Sequence, residues 1–179
     1  MGGLKGIVRT RVGYAGGKTE NPTYHDLETH AEAIELDYDP TVFTFKAILD
    51  LFFASHRPVG GMRSTQYRSA IFCHDEDEVA MAERSKEKHA SLWGTSLSTE
   101  IALGATFWKA EDYHQKYRLQ HQPVLLKEMR RSFSNFWDMV ASPTAMRLNA
   151  HVAGKLDPDI LAKELSLYGL SPEVEKALR

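Results

Sequence analysis

Val8-Arg9-Thr10-Arg11-Val12-Gly13-Tyr14-Ala15-Gly16-Gly17, then Asn21-Pro22-Thr23-Tyr24-His25, then His30-Ala31-Glu32-Ala33-Ile34-Glu35-Leu36-Asp37-Tyr38-Asp39-Pro40, form the segment around which the chain is organised. It reads as strand, Gly-rich loop, strand. Residues two apart in a strand share a face. One face of the second strand therefore carries Glu32, Ile34, Leu36 and Tyr38; the other carries Ala31, Ala33, Glu35 and Asp37. The pattern predicts that Glu35 and Asp37 are solvated and that Glu32 stands in an apolar row. Two outcomes are open for such a carboxylate. It lies near the strand end and is wet, or it is buried with a raised pKa. The second is how a protein keeps a proton donor near neutral pH.

Outward from this segment, strand one is expected over residues 7–14 and strand two over 31–38. Ala15-Gly16-Gly17 and Asn21-Pro22-Thr23 are turn signals. A helix follows over 44–56, with Thr44 as N-cap and a core stripe of Phe45, Ile48, Leu49 and Phe52 at i, i+3, i+4, i+7. Strand three is expected over 66–72, a charged helix over 75–91, strand four over 99–103 and a helix over 110–119. Strands and helices without strict alternation indicate an α+β fold. From about Pro123 the pattern is all helix. Ser142-Pro143, Asp157-Pro158 and Ser171-Pro172 each pair a capping residue with Pro at the first helical position. The boundary implied is 1–121 for the α/β part and 122–179 for a helical extension.

With 179 residues, one domain with a full core is expected. A formal net charge of -2 argues against a general nucleic-acid or membrane-surface binder. No apolar run approaches the ~18 residues of a membrane span, and residues 1–6 lack the apolar centre of a secretion signal. Cys73 is the single cysteine, which excludes an internal disulfide and a cysteine-based zinc cage. It fits a reducing, cytoplasmic compartment. His25, His30, His56 and His114 show no tight metal-ligand spacing, and Glu111-Asp112 with His114 reads as a solvated helix start. Arg130-Arg131 reads as surface, and Phe136 and Trp137 as core of the extension.

Several blocks together resemble the S-specific (type A) peptide methionine sulfoxide reductase family. They are residues 9–17, Asn21-Pro22-Thr23-Tyr24, His30-Ala31-Glu32, Gln66-Tyr67-Arg68-Ser69-Ala70-Ile71-Phe72 and Ala110-Glu111-Asp112-Tyr113-His114-Gln115-Lys116-Tyr117. They occur in the family's order across about residues 4–118. The resemblance implies a two-layer α/β sandwich on a mixed sheet, a ferredoxin-like core, here with added C-terminal helices. It implies reduction of methionine (S)-sulfoxide, in peptides or free, by a cysteine or selenocysteine, with thioredoxin as final reductant and no cofactor. Glu32 matches the family's proton donor. Tyr24 and Tyr67 match the tyrosines that hydrogen-bond the sulfoxide oxygen.

The family's Gly-Cys-Phe-Trp block, which carries the nucleophile, does not occur in this sequence, nor do its C-terminal resolving cysteines. Loop 60–65 lacks the acid usual there. Cys73 follows a strand and reads as a small buried filler, although His74 stands beside it. Leu4-Lys5-Gly6 before Ile7 looks like a helix end closed by glycine. Three readings follow. One is a reductase whose gene model starts late, as a selenocysteine codon read as a stop would cause; as written, such a chain is expected to be inactive. The others are an inactive sulfoxide-binding relative, and an interaction role carried by the C-terminal helices.

Overall fold

The computed structural model describes residues 1–60 and 64–179. The missing acid of loop 60–65 therefore falls largely on positions outside the described residues. Two compact units are present. The first comprises Met1–Arg11, Glu35–Val42 and Glu111–Arg179; the second comprises Val12–Ile34 and Phe43–Ala110. The expected boundary after residue 121 lies inside the first unit. The fold is mixed α/β with a helical C-terminal region. Strands β1 (Ile7–Ala15), β2 (Ala31–Tyr38) and β5 (Trp108–Lys109) form a sheet in the order β2-β1-β5, while β3 (Ala70–Cys73) and β4 (Glu100–Leu103) form a second. β1 and β5 are antiparallel, β3 and β4 parallel.

In the second unit, helix α1 (Phe45–Ser55) starts where Thr44 accepts a hydrogen bond from the Ala47 N–H. Helix α2 (Glu76–Trp93) is the crossover that a parallel β3–β4 pair requires. Asp75 caps it by accepting from the Glu78 N–H, and Glu76, Asp77 and Glu78 place negative charge in its first turn. Gly94, at φ 64°, closes it in the left-handed conformation that glycine adopts without a Cβ clash. The core here is Leu49, Phe53, Ile71, Cys73, Ala82 and Leu97. Leu49 belongs to the expected stripe; Phe53, fully buried, does not, and Phe45 and Phe52 are only partly buried.

Strand three is shorter than expected. Residues 66–69 are not strand, and β3 begins at Ala70. Arg68 is the cause. Its backbone N–H donates to the Thr65 carbonyl at 3.4 Å. Its guanidinium turns back to the same carbonyl at 3.0 Å. A backbone folded onto its own side chain cannot continue an extended ladder.

In the first unit, the expectation that Glu35 and Asp37 are solvated is corrected. Both are half-buried and paired: Arg11 bonds Glu35 and, at 3.0 Å, Asp37, and Arg9 lies 3.4 Å from Asp37. Arg9 and Arg11 are two apart on β1 and present their cations together. The helix expected over 110–119 is also corrected. It is a 3-10 turn (Asp112–His114) and a short helix α3 (Tyr117–Gln120), separated by Lys116 at φ 47°. The Lys116 ammonium is buried and donates to the Thr10 carbonyl at 2.6 Å and the Thr10 hydroxyl at 2.8 Å. Burial, helped by the charge of Arg11, pushes its pKa down to about 8. Tethering this side chain to β1 breaks the helical path.

The three Pro-marked helices are α6 (Pro143–Val152), α7 (Pro158–Glu164) and α8 (Pro172–Leu178). They follow α4 (Pro123–Ser132) and α5 (Phe136–Ala141). Ser142 and Asp157 cap α6 and α7 through their side chains; at α8 the Ser171 N–H instead donates to Glu128 at 2.8 Å. Leu119, Leu125, Met129, Met139, Leu148 and Leu165 fill the core of this unit, with Phe136 partly buried against it. Val124, by contrast, is exposed. The buried Arg147 of α6 pairs with Glu164 at 3.0 Å and donates to the carbonyls of Gly2 and Leu4 at 2.8 Å. Among the described residues no helix is long and apolar enough to cross a membrane.

Candidate functional site

Three backbone segments of the second unit build the site: loop 16–30, the first residues of β2, and the turn 65–68. Within the loop, the Gly17 N–H donates to His30 Nδ1 at 3.1 Å, and His30 Nε2 lies 2.8 Å from the Thr19 carbonyl. An N–H donor on one ring nitrogen and a carbonyl on the other define the neutral Nε2–H tautomer. Glycine is required at position 17, because a Cβ there would lie 2.2 Å from the His30 ring. Further along, Thr23 and Asp26 exchange backbone hydrogen bonds of 3.2 and 3.0 Å. This narrow turn lifts Tyr24 and His25 to its tip, with their rings edge to face at 5.5 Å.

Arg68 ties these segments together. Its side chain is 6% exposed and bonds Glu100 at 2.8 Å. Its Nη1 donates to the carbonyls of Thr29 and Thr65, each at 3.0 Å, and its Nη2 to that of Gly16 at 3.1 Å. One planar cation thereby satisfies backbone acceptors from the Gly-rich loop, from the residue just before His30 and from the turn that carries Tyr67.

On this frame Glu32, Tyr24 and Tyr67 come together. Glu32 is exposed at the start of β2, so the first of its two open outcomes, the wet strand end, is the one found. Its N–H donates to the Gln66 carbonyl at 2.9 Å, and its Oε1 accepts from Gln66 Nε2 at 2.6 Å. The Glu32 charge raises the pKa of the Tyr67 phenol, and desolvation and a hydrogen bond with Tyr24 add to the effect. Tyr67 sits in the turn and not on strand three. Tyr24 is 37% and Tyr67 63% exposed, so both phenols are open to a ligand. A carboxyl and two phenols around one accessible spot can donate hydrogen bonds to a single acceptor oxygen and can protonate it.

Cys73 is not part of this spot. It is 2% exposed and packs in the α1–α2 core. Burial pushes its thiol up to about 11, and Glu78, Asp75 and Glu83 push in the same direction. His74 faces Glu78 at 3.2 Å. A thiol held so high leaves roughly one thiolate per several thousand molecules near neutral pH. Iodoacetamide at pH 7.5 is therefore expected to label the native chain at least ~100-fold more slowly than the guanidinium-unfolded chain. Equal rates would show an open, reactive thiol.

The other singled-out residues have local roles. His56 bridges the Phe52 carbonyl and the Ser69 hydroxyl, each at 2.8 Å. His114 lies 4.0 Å from Glu111, while Asp112 is exposed at the start of the 3-10 turn. Arg130 and Arg131 are exposed beside Lys127 on α4. Among the described residues no three His, Cys, Asp or Glu side chains converge as metal ligands. Reading the sequence assigned no role to Gln66, Arg68 or the His30 ring. The signal was present for the first two, since both lie inside the block that also holds Tyr67.

Comparison with known proteins gives the family. The sequence pattern of the family described as peptide methionine sulfoxide reductase matches residues 1–140. The peptide methionine sulfoxide reductase of Drosophila melanogaster is 38% identical over 177 residues, covering 96% of this chain and 69% of its own length. Peptide methionine sulfoxide reductase A5 of Arabidopsis thaliana is 36% identical over 166 residues, covering 89% of this chain and 65% of its own. Among solved structures, methionine sulfoxide reductase A of Corynebacterium diphtheriae superposes with a TM-score of 0.56 at 34% identity, over 66% of each chain. The chain belongs to the peptide methionine sulfoxide reductase family, oxidoreductases that act on methionine sulfoxide. It spans about two thirds of the length of these relatives.

Proposed function

We propose that Glu32, Tyr24 and Tyr67 are the sulfoxide-oxygen site of a reductase that converts methionine (S)-sulfoxide, in peptides or free, to methionine. The observation that carries this reading is the pair of Glu32–Gln66 hydrogen bonds, 2.9 and 2.6 Å, which set the carboxyl beside the turn of Tyr67; the Glu32 charge acts on that phenol, which is hydrogen-bonded to Tyr24. In the reaction a thiolate bonds to the sulfoxide and takes its oxygen, so that the thioether is released and the thiol becomes a sulfenic acid. Sulfur in the substrate gains two electrons, and the sulfur of that thiol, a group these 179 residues do not themselves present, loses two. The S–O bond breaks only as the oxygen gains a proton, which Glu32 supplies while the phenols hold the oxygen in place. Thioredoxin is the proposed source of the electrons that restore the thiol. These 179 residues supply the acid and the hydrogen-bond donors; their one thiol, Cys73, is too buried to attack. Assigning residues 1–121 to the reductase domain and 122–179 to an extension belongs to the same proposal, as does a cytoplasmic location.

Binding tests the reading without turnover. N-acetyl-methionine (S)-sulfoxide, titrated against the chain by NMR, is expected to bind more weakly as pH rises, because an ionised carboxylate repels the sulfoxide oxygen. Glu32→Gln should weaken binding at acid pH by roughly 3–10-fold, the worth of one hydrogen bond, and should remove the pH dependence. A Glu32→Gln protein that binds like the parent across the pH range would overturn the proposal.

A further inference from the structure

We infer that Gln66 is a positioning residue for Glu32, selecting which carboxyl oxygen carries the proton. The inference rests on the reading of Glu32 as the acid. A carboxylic acid has two oxygens, and its proton can sit on either. A donor N–H on one oxygen occupies a lone pair there and directs the proton to the other. Gln66 holds Glu32 at two points: its carbonyl accepts from the Glu32 N–H at 2.9 Å, and its Nε2 donates to Oε1 at 2.6 Å. The backbone contact sets the distance between the two residues, so the side-chain contact fixes the carboxyl's rotation. Oε1 is thereby committed to the amide, and Oε2 is the oxygen left to hold the proton and meet the ligand.

The neighbouring groups leave this task to Gln66. Among the described residues, the Tyr67 phenol lies in the field of the Glu32 carboxyl and is hydrogen-bonded to Tyr24. A phenol ordinarily titrates at about 10, and Tyr67 is pushed higher, so it stays a neutral donor. Arg68, next in the chain after Tyr67, spends its guanidinium on Glu100 and the carbonyls of Gly16, Thr29 and Thr65. Gln66 is thus the side chain seen to donate directly to the Glu32 carboxyl. An amide donor also favours the ionised carboxyl over the neutral one. Its loss removes the orientation of the carboxyl.

Gln66→Met keeps the length and the backbone contact but removes the donor. In the N-acetyl-methionine (S)-sulfoxide titration it is expected to lower affinity at the acid plateau by roughly 3–5-fold, the worth of an oriented hydrogen bond. It should also move the pH midpoint of binding. The melting temperature should hardly change. In the parent, the Gln66 side-chain amide signals should titrate with that midpoint, and in Glu32→Gln they should not. Should Gln66→Met fold poorly, Gln66→Asn, one methylene too short to reach Oε1, is expected to show the same pair of changes. If Glu32→Gln alters binding but neither Gln66 variant moves plateau or midpoint, or if the amide signals do not titrate, the inference is overturned and the role of Glu32 stands. If Glu32→Gln itself changes nothing, the site proposal fails, and the inference with it.

Discussion

Arg68→Ala is expected to destabilise the chain by roughly 3 kcal/mol, from the loss of charge-assisted hydrogen bonds that join three loop segments. For a chain of this size that corresponds to a fall in melting temperature of about 6–12 °C. The side chain is 6% exposed and bonds one carboxylate and three backbone carbonyls. Glu100, 46% exposed, can turn to water once its partner is gone. The carbonyls of Gly16, Thr29 and Thr65 have less freedom, and three loop segments lose their common anchor. Sulfoxide binding should fall with stability, because those segments lead directly into Tyr24, Glu32 and Tyr67. Arg68→Lys keeps the charge but cannot reproduce a planar fork of donors, so it should recover only part of the loss. Calorimetry of the three proteins decides the matter. An Arg68→Ala protein that melts with the parent would show that the loops are held by other means.

Phe53→Ala carries the second large effect, roughly 3–5 kcal/mol by the usual cost of removing a buried aromatic ring. Phe53 has 0% exposure. Its ring stacks on His89 at 4.8 Å and meets Phe52 edge to face at 5.1 Å. Around it lie Leu49, Ile71, Cys73, Ala82 and Leu97. Truncation would leave a cavity between α1 and α2 that this packed shell fills only in part. Urea denaturation should show a lower midpoint with little change in slope. Phe52→Ala, at a position only partly buried, should cost clearly less. Equal losses at 52 and 53 would mean that burial in this helix is misassigned.

Phe53 also marks what the sequence discloses and what it conceals. Periodicity located α1 and its Thr44 cap, because both depend on residues within a turn of one another. The stripe of Phe45, Ile48, Leu49 and Phe52 nonetheless passed over the most buried ring. Adjacent phenylalanines differ by 100° around a helix, and which of them faces inward is settled by the sheet and helix it meets. Capping signals at Ser142 and Asp157 were legible for the same local reason; at Ser171 the helix start was legible, but its side chain makes no cap. Arg9 and Arg11 are visible as residues, but their pairing with β2 is not, so strand alternation alone leaves Glu35 and Asp37 in solvent. The shortened strand three and the break at Lys116 share one cause: a long cationic side chain reaching backbone carbonyls, which no propensity encodes. At the candidate site, alternation isolated Glu32, and the resemblance added Tyr24 and Tyr67. Gln66 and Arg68 act through contacts 34 and 52 residues away in the chain, and such contacts leave no periodic trace.

Gln66, Tyr67 and Arg68 are consecutive, yet each serves a different partner: Glu32, Tyr24 with the field of Glu32, and the loop carbonyls. Three duties written on adjacent residues form a cassette whose spacing is as informative as its letters. Point changes can erode its duties one at a time. An insertion or deletion of a single residue would shift all three out of phase together. The turn is therefore the part of the chain least free to drift in length, and the segment on which a transplant of this site to another scaffold would have to be copied whole.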